Sequence, residues 1–159
     1  MAYAPLDPSL ALQAAVHEAL TTHPATIAAF QALAANAADV PRVYDTAPVD
    51  QNQKVPTALF PYFTIGEDQI VPDTPGITDE CFVDVKAWSR PTQPVSYAEL
   101  KTLLNAARIA LDQPLQIAGF NTITWRLHGS PPPRKEPDGV TRRGVLTFVY
   151  LVSPAALQA

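Results

Sequence analysis

Cysteine is almost missing from this chain: Cys81 stands alone among 159 residues. A single thiol cannot form an internal disulfide, and every CxxC-type metal site is excluded with it. Charge is scarce as well. Asp, Glu, Lys and Arg make up 16% of the residues, where an ordinary soluble domain carries about a quarter. The formal net charge is only −4, so charge alone favours neither nucleic acid nor an anionic membrane as a partner. Much of the surface must then be Ala, Thr, Gln and Pro, which suits wide protein–protein contact. No apolar run approaches the ~20 residues that span a bilayer. The opening MAYAPLDPSL has no basic stretch followed by an apolar one, so it does not read as a signal peptide. These absences predict a soluble protein made inside the cell.

What is present suffices for one core. The apolar fraction is 47%, and the length predicts a single domain over 1–159. Seventeen prolines, about twice ordinary usage, sit in the connections and predict long, stiff loops. Asp7-Pro8 predicts a capped helix start. Leu12, Val16, Ala19 and Leu20 continue it at helical spacing, to a stop near Thr21-Thr22-His23-Pro24. A second helix carries Ile27, Phe30, Leu33, Ala34 and Ala37 on one face. Short strands follow at Arg42–Thr46 and at about Phe60–Gly66, then a loop with Pro72, Pro75 and Gly76. Cys81, Val83, Val85 and Ala87 alternate with Phe82, Asp84, Lys86 and Trp88, which predicts a strand with one buried and one mixed face. Ser96-x-x-Glu99 reads as a capping box before the amphipathic stripe Leu100, Leu103, Leu104, Ala107 and Leu111. Ile123, Trp125 and Leu127 alternate with polar residues, and VLTFVYLV at 145–152 is apolar on both faces, as a central strand is. PDG at 137–139 is a turn signal inside the proline-rich, charged segment 129–143, which predicts a hairpin arm. The order implies an α+β fold: a mostly antiparallel sheet, an N-terminal helical pair, and one long amphipathic helix packed on the sheet.

The search for chemistry points away from catalysis. His17, His23 and His128 lack zinc-ligand spacing, because the HExxH pattern begun at His17-Glu18 meets Thr21. Asp68, Asp73, Asp79 and Glu80 match no calcium loop and read as solvated loop acids. Gly66 is isolated, a turn or bulge residue with positive φ rather than part of a phosphate loop. Cys81 falls on the buried face of its strand. Arg90 ends that strand and suits an anion or a partner carboxylate. Arg134, Lys135, Arg142 and Arg143 are the one basic concentration, and Glu136 and Asp138 interrupt it. That pattern suits a neighbouring acidic subunit at least as well as DNA phosphates. No cofactor or metal is expected, and binding or assembly is the better class.

LALQAAVHEAL at 10–20, RVYDTAP at 42–48, FPYFTIGED at 60–68, VDVKAWSR at 83–90, SYAELKTLLNAARIAL at 96–111 and PDGVTRRGVLTFVYLV at 137–152 together resemble the tail-completion, or tail-terminator, family of tailed bacteriophages, prophages and gene-transfer agents. WSR directly before a helix is the best single marker. The Ala-rich second helix and the polar segment VDQNQKVPTALF at 49–60 depart from the family pattern. The resemblance implies an α+β subunit of a hexameric ring that caps the completed tail tube and joins it to the head. It implies no catalytic residues. Arg42, Tyr44, Asp45, Pro61, Tyr62, Gly66, Glu67, Trp88, Ser89 and Arg90 would then be structural or interfacial.

The expected subunit-interface residues are Phe82, Trp88, Arg90, Arg134, Lys135, Arg142 and Arg143. The expected partners are further copies of the chain, a tail tube protein and a head-completion protein. DNA would pass through the lumen without sequence recognition, and no membrane is involved. The protein would be made in the bacterial cytoplasm and act at the head–tail junction of a phage-like particle. The rival readings are a head-side connector or minor tail protein, a small enzyme using the Asp68–Glu80 acids, and a ligand-binding module with a cavity lined by Tyr44, Tyr62 and Trp125. For Trp88 the alternative to an interface is packing beneath the 96–111 helix.

Overall fold

The computed structural model describes residues 7–33, 41–75, 77–91 and 96–155, with Glu67 and Asp68 described by backbone alone. Ala34, Ala37 and Gly76, which the sequence assigns to the second helix and to a loop, lie outside the described residues.

Helix α1 spans Ser9–Thr22. The helix starts directly after Asp-Pro, but Pro8 rather than Asp7 holds the cap position: the Pro8 carbonyl accepts the Leu12 N–H at 2.8 Å, and the Asp7 carboxylate accepts the Ser9 N–H at 2.9 Å. The helix ends where His23 turns extended (φ −70, ψ 135), the conformation a following proline imposes. Pro24 then opens α2, Pro24–Leu33. His23 Nδ1 accepts the Ala25 N–H at 3.1 Å, which makes this histidine the cap between the two helices. The buried stripe of α2 is rotated from the expected one. Thr26, Ala29 and Phe30 are buried and Ile27 only half so, because the Thr26 hydroxyl is satisfied by the His23 carbonyl and can enter the core.

A six-stranded sheet carries β1 (Val43–Tyr44), β2 (Tyr62–Thr74), β3 (Thr78–Ser89), β4 (Phe120–Gly129), β5 (Arg134–Lys135) and β6 (Arg142–Pro154). Its order is β1-β2-β3-β6-β4, with β5 also pairing β6, and only β1–β2 is parallel. The expected α+β fold is therefore the observed one. Strand β6, apolar on both faces, sits between β3 and β4 as the sequence implies. Strand β2 is longer than expected. Residues read as a loop, Pro72 among them, continue the strand past a bulge between Gly66 and Gln69 and form a hairpin with β3. Gly66 begins that bulge without a positive φ, so its backbone needs no glycine there. In β4 a bulge between Thr122 and Thr124 breaks the alternation and leaves Ile123 46% exposed.

The helices cover one face of the sheet. Phe63 and Ile65 of β2, Cys81, Val83, Val85 and Ala87 of β3, and Leu146, Phe148, Tyr150 and Val152 of β6 point into it. Helix α3, Ala98–Leu111, supplies Leu100, Leu103, Leu104, Ala107 and Leu111 to the same cluster. Its start differs from a capping box. Tyr97 occupies the cap position, and Ser96 Oγ accepts the N–H of Ala98, not of Glu99.

Two contacts seat α3. The Tyr150 hydroxyl donates to the Leu111 carbonyl at 2.7 Å, tying β6 to the last turn of the helix. Burial, and secondarily the Asp112 charge, pushes this phenol far above its ordinary pKa, so it remains a donor. At Gly144 a Cβ would collide with Leu104 Cδ1, so the missing side chain is what lets the helix approach.

Both contacts are testable by chemical denaturation. Tyr150→Phe leaves the Leu111 carbonyl without its donor and should lower stability by about 1–2 kcal/mol. Gly144→Ala should cost about 1–3 kcal/mol through overpacking against Leu104, and adding Leu104→Ala should relieve part of that cost.

Candidate functional site

No α-helix among the described residues covers the second sheet face, and the strand registers set its pattern. Tyr62 pairs with Trp88, Trp88 with Arg143, and Arg143 with Arg134, so β2, β3, β6 and β5 each place one residue in a single row across the open face. Trp88 therefore does not pack beneath α3. It is half-buried, and its indole N–H donates to Thr64 Oγ1 at 2.9 Å. The Tyr62 and Trp88 rings are nearly parallel, with centroids 6.0 Å apart. Phe60 and Tyr44 lean on Tyr62 at 5.0 and 5.9 Å. Burial pushes the Tyr62 phenol up to about 12, against the lowering effect of the Arg90 charge.

Cations bracket the aromatic row. The Arg143 guanidinium lies 5.6 Å from the Trp88 ring centre, and that of Arg90 lies 5.1 Å from the Phe60 ring centre. Arg90 also donates to Thr57 Oγ1, Thr141 Oγ1 and Asp138 Oδ2 at 3.0, 3.1 and 3.3 Å. It thus ties the short 3-10 turn Thr57–Leu59 to the hairpin formed by β5 and β6. Phe60, Tyr62, Trp88, Arg90, Glu136 and Asp138 border a cleft of about 370 Å³.

Within the 129–143 segment, β5 and the start of β6 form the expected hairpin around the PDG turn. Asp138 Oδ1 accepts the N–H groups of Val140 and Thr141 at 2.9 and 2.8 Å, and Gly139 completes the turn at φ +79, where a side chain would be strained. Partial burial alone would raise the Asp138 pKa. The Thr141 hydroxyl, the two backbone donors and Arg90 outweigh it and hold the carboxyl well below the usual carboxylate range. Arg143 pairs with Glu136 at 3.2 Å. Of the two acids that interrupt the basic run, Glu136 is thus paired within it, while Asp138 pairs with Arg90 outside it.

The expected interface residues separate into three environments. Trp88, Arg90 and Arg143 converge on the cleft and aromatic row, while Arg134 and Lys135 are exposed beside them on β5. Phe82 lies elsewhere on the open face, edge-on to His128 at 5.2 Å. Arg142 is 2% exposed and serves the inside of the subunit, set over the Tyr97 ring and donating to the Val140 carbonyl. Of the family-pattern residues, Arg42 presents its carbonyl to the Phe63 N–H, Pro61 is buried after a cis Phe60–Pro61 bond, Ser89 is buried, and Asp45 is exposed in the bend after β1. Glu67 lies in the β2 bulge, its side chain outside the described residues. Sequence reasoning did not find Thr57, Phe60 or Thr141 in this cluster. Only the PDG turn hinted at Thr141, and nothing near Thr57 marks a contact 33 residues away.

Tyr44 and Tyr62 are neighbours, but Trp125 faces the helices beside Tyr150, so the three do not line one cavity. Asp73, Asp79 and Glu80 lie on the β2–β3 hairpin rather than in a loop. No three His, Cys, Asp or Glu side chains among the described residues are grouped to hold a metal ion. This face therefore combines aromatic rings, guanidinium groups set over them and acids paired within the subunit.

No curated protein sequence matches the chain. One chain of the virion of a native gene transfer agent (GTA) particle has the same fold, with a TM-score of 0.69 and 22% identity over 96% of this chain and 99% of that one. The family model described as tail completion protein gp17 matches residues 14–153. The chain belongs to the tail completion protein gp17 family.

Proposed function

We propose that this chain acts as one structural unit that caps the completed tube of a phage-like tail as a ring and forms part of the surface that joins tail to head. Its role is assembly, without catalysis. Six copies close the ring, the last tube layer lies on one side and a head-completion protein on the other, and DNA passes through the lumen without being read. The protein is made in the bacterial cytoplasm and incorporated at the head–tail junction.

Family membership over residues 14–153 carries this reading. The one-sided sheet gives it a surface. Trp88 and Phe82 are only half-buried on the face away from the helices, where Val145, Thr147 and Leu151 are also partly exposed. A closed ring of identical subunits needs heterologous contacts, in which two different patches of the same chain meet. The open face and the exposed cations of β5 provide one such patch.

Light scattering after size separation, run with and without bare tail tubes, tests the ring. A mass of about 100 kDa, six times the 17.1 kDa protomer, or rings formed on tube ends with an end to tube growth, is the expected result. Tubes that keep growing in its presence would favour a head-side adaptor instead. Trp88→Ala should leave the fold and its circular dichroism intact, because the ring is outside the core, while weakening assembly by about 2 kcal/mol or more. Normal rings from a folded Trp88→Ala protein would remove the open face from the interface.

A further inference from the structure

One acidic group and one basic group, neither of them ion-paired among the described residues, lie apart on the subunit. The β2–β3 hairpin ends in a tip bearing Asp73, Asp79 and Glu80 and no cation between residues 69 and 80. Asp79 and Glu80 form no ion pair among the described residues. Ile77 stands at the turn, 55% exposed. At the other corner, α3 and the segment before β5 enclose a cleft of about 310 Å³. Leu104, Leu127 and Leu146 form its floor, Pro131–Pro133 one wall, and Lys101 and Arg108, both exposed, its rim. Neither rim cation has an ion-pair partner among the described residues.

The tip cannot reach the cleft of its own subunit. Asp79 pairs with Val152 and Leu146 borders the cleft, which separates them by about 20 Å along β6. The tip extends farther still, beyond the end of that pairing.

We infer that the acidic β2–β3 tip of one copy seats Ile77 in the basic, proline-walled cleft of the next. This rests on the ring reading and adds a pair of unlike patches to the open face. The apolar side chain meets the leucine floor, and the carboxylates that flank it, Asp79 on the helix-side face of β3 and Glu80 on the other, bring negative charge to the Lys101 and Arg108 rim of the receiving copy. Opposite charge on non-equivalent surfaces selects head-to-tail contact and disfavours tip-to-tip or cleft-to-cleft pairing. The β-edges are poorer candidates, since β1 has two residues and β4 carries two bulges, both of which discourage edge pairing.

Charge reversal on the full chain tests it, read as the concentration dependence of ring mass. Asp79→Lys/Glu80→Lys and Lys101→Glu/Arg108→Glu, each alone, should raise the concentration needed for rings about tenfold or more. The four substitutions in one chain, or an equimolar mixture of the two double variants, should restore assembly, which a folding defect would not allow. If both double variants form rings as wild type does, or if the combined variant fails to recover while remaining folded, the tip–cleft contact is overturned and the ring reading stands. If the variants form normal rings but no longer arrest tubes, the tip meets the tube protein instead, and the contact between copies is overturned. A wild-type chain that forms no ring alone or on tube ends overturns the ring reading itself.

Discussion

The seating of α3 on β6 is the contact from which the other features of the molecule follow. A glycine opposite Leu104 lets the helix down onto the sheet, and a buried tyrosine hydroxyl holds its last turn. With α1 and α2 beside it, the helical layer takes up one sheet face: the alternating apolar residues of β3 and β6 on that side are covered. The chain has no further described helix for the other face. A sheet covered on one side must carry side chains that tolerate water on the other or find a partner there.

The uncovered face shows a compromise. It carries a tryptophan and a phenylalanine with aliphatic residues between them, yet both aromatics are partly shielded by neighbours within the subunit. The cations on this face are mostly neutralised by Glu136 and Asp138 or engaged on aromatic rings. Such a surface has little long-range field and suits close contact with another protein more than capture of a polyanion. Part of the unpaired charge is segregated, acidic at the β2–β3 tip and basic where Lys101 and Arg108 rim the α3 cleft. A chain with few charges thus still carries a direction.

Local periodicity was the legible part of this sequence. The two faces of β3, the stripe of α3 and the doubly apolar β6 are properties of neighbouring residues, and each stands as read. The misreadings occur where a long-range partner overrides a local signal. Pro72 reads as a loop residue after a strand ending near Gly66, yet β3 pairs alongside and carries β2 to Thr74. Ile123 alternated correctly with its neighbours, but a bulge against β6 turned it outward. Thr26 displaced Ile27 from the core because its hydroxyl found a carbonyl one turn back.

The candidate site was legible as residue types rather than as an arrangement. Composition and spacing determined an α+β chain without disulfides, with little charge and with a mixed strand face at Phe82 and Trp88, because these depend on residue identity and short-range period alone. Which of four neighbouring basic residues is buried, which acids neutralise the others, and that Thr57 meets Arg90 were decided only in the tertiary structure. Strand register and hairpin closure bring together residues tens of positions apart, and no local pattern encodes the partner of a guanidinium.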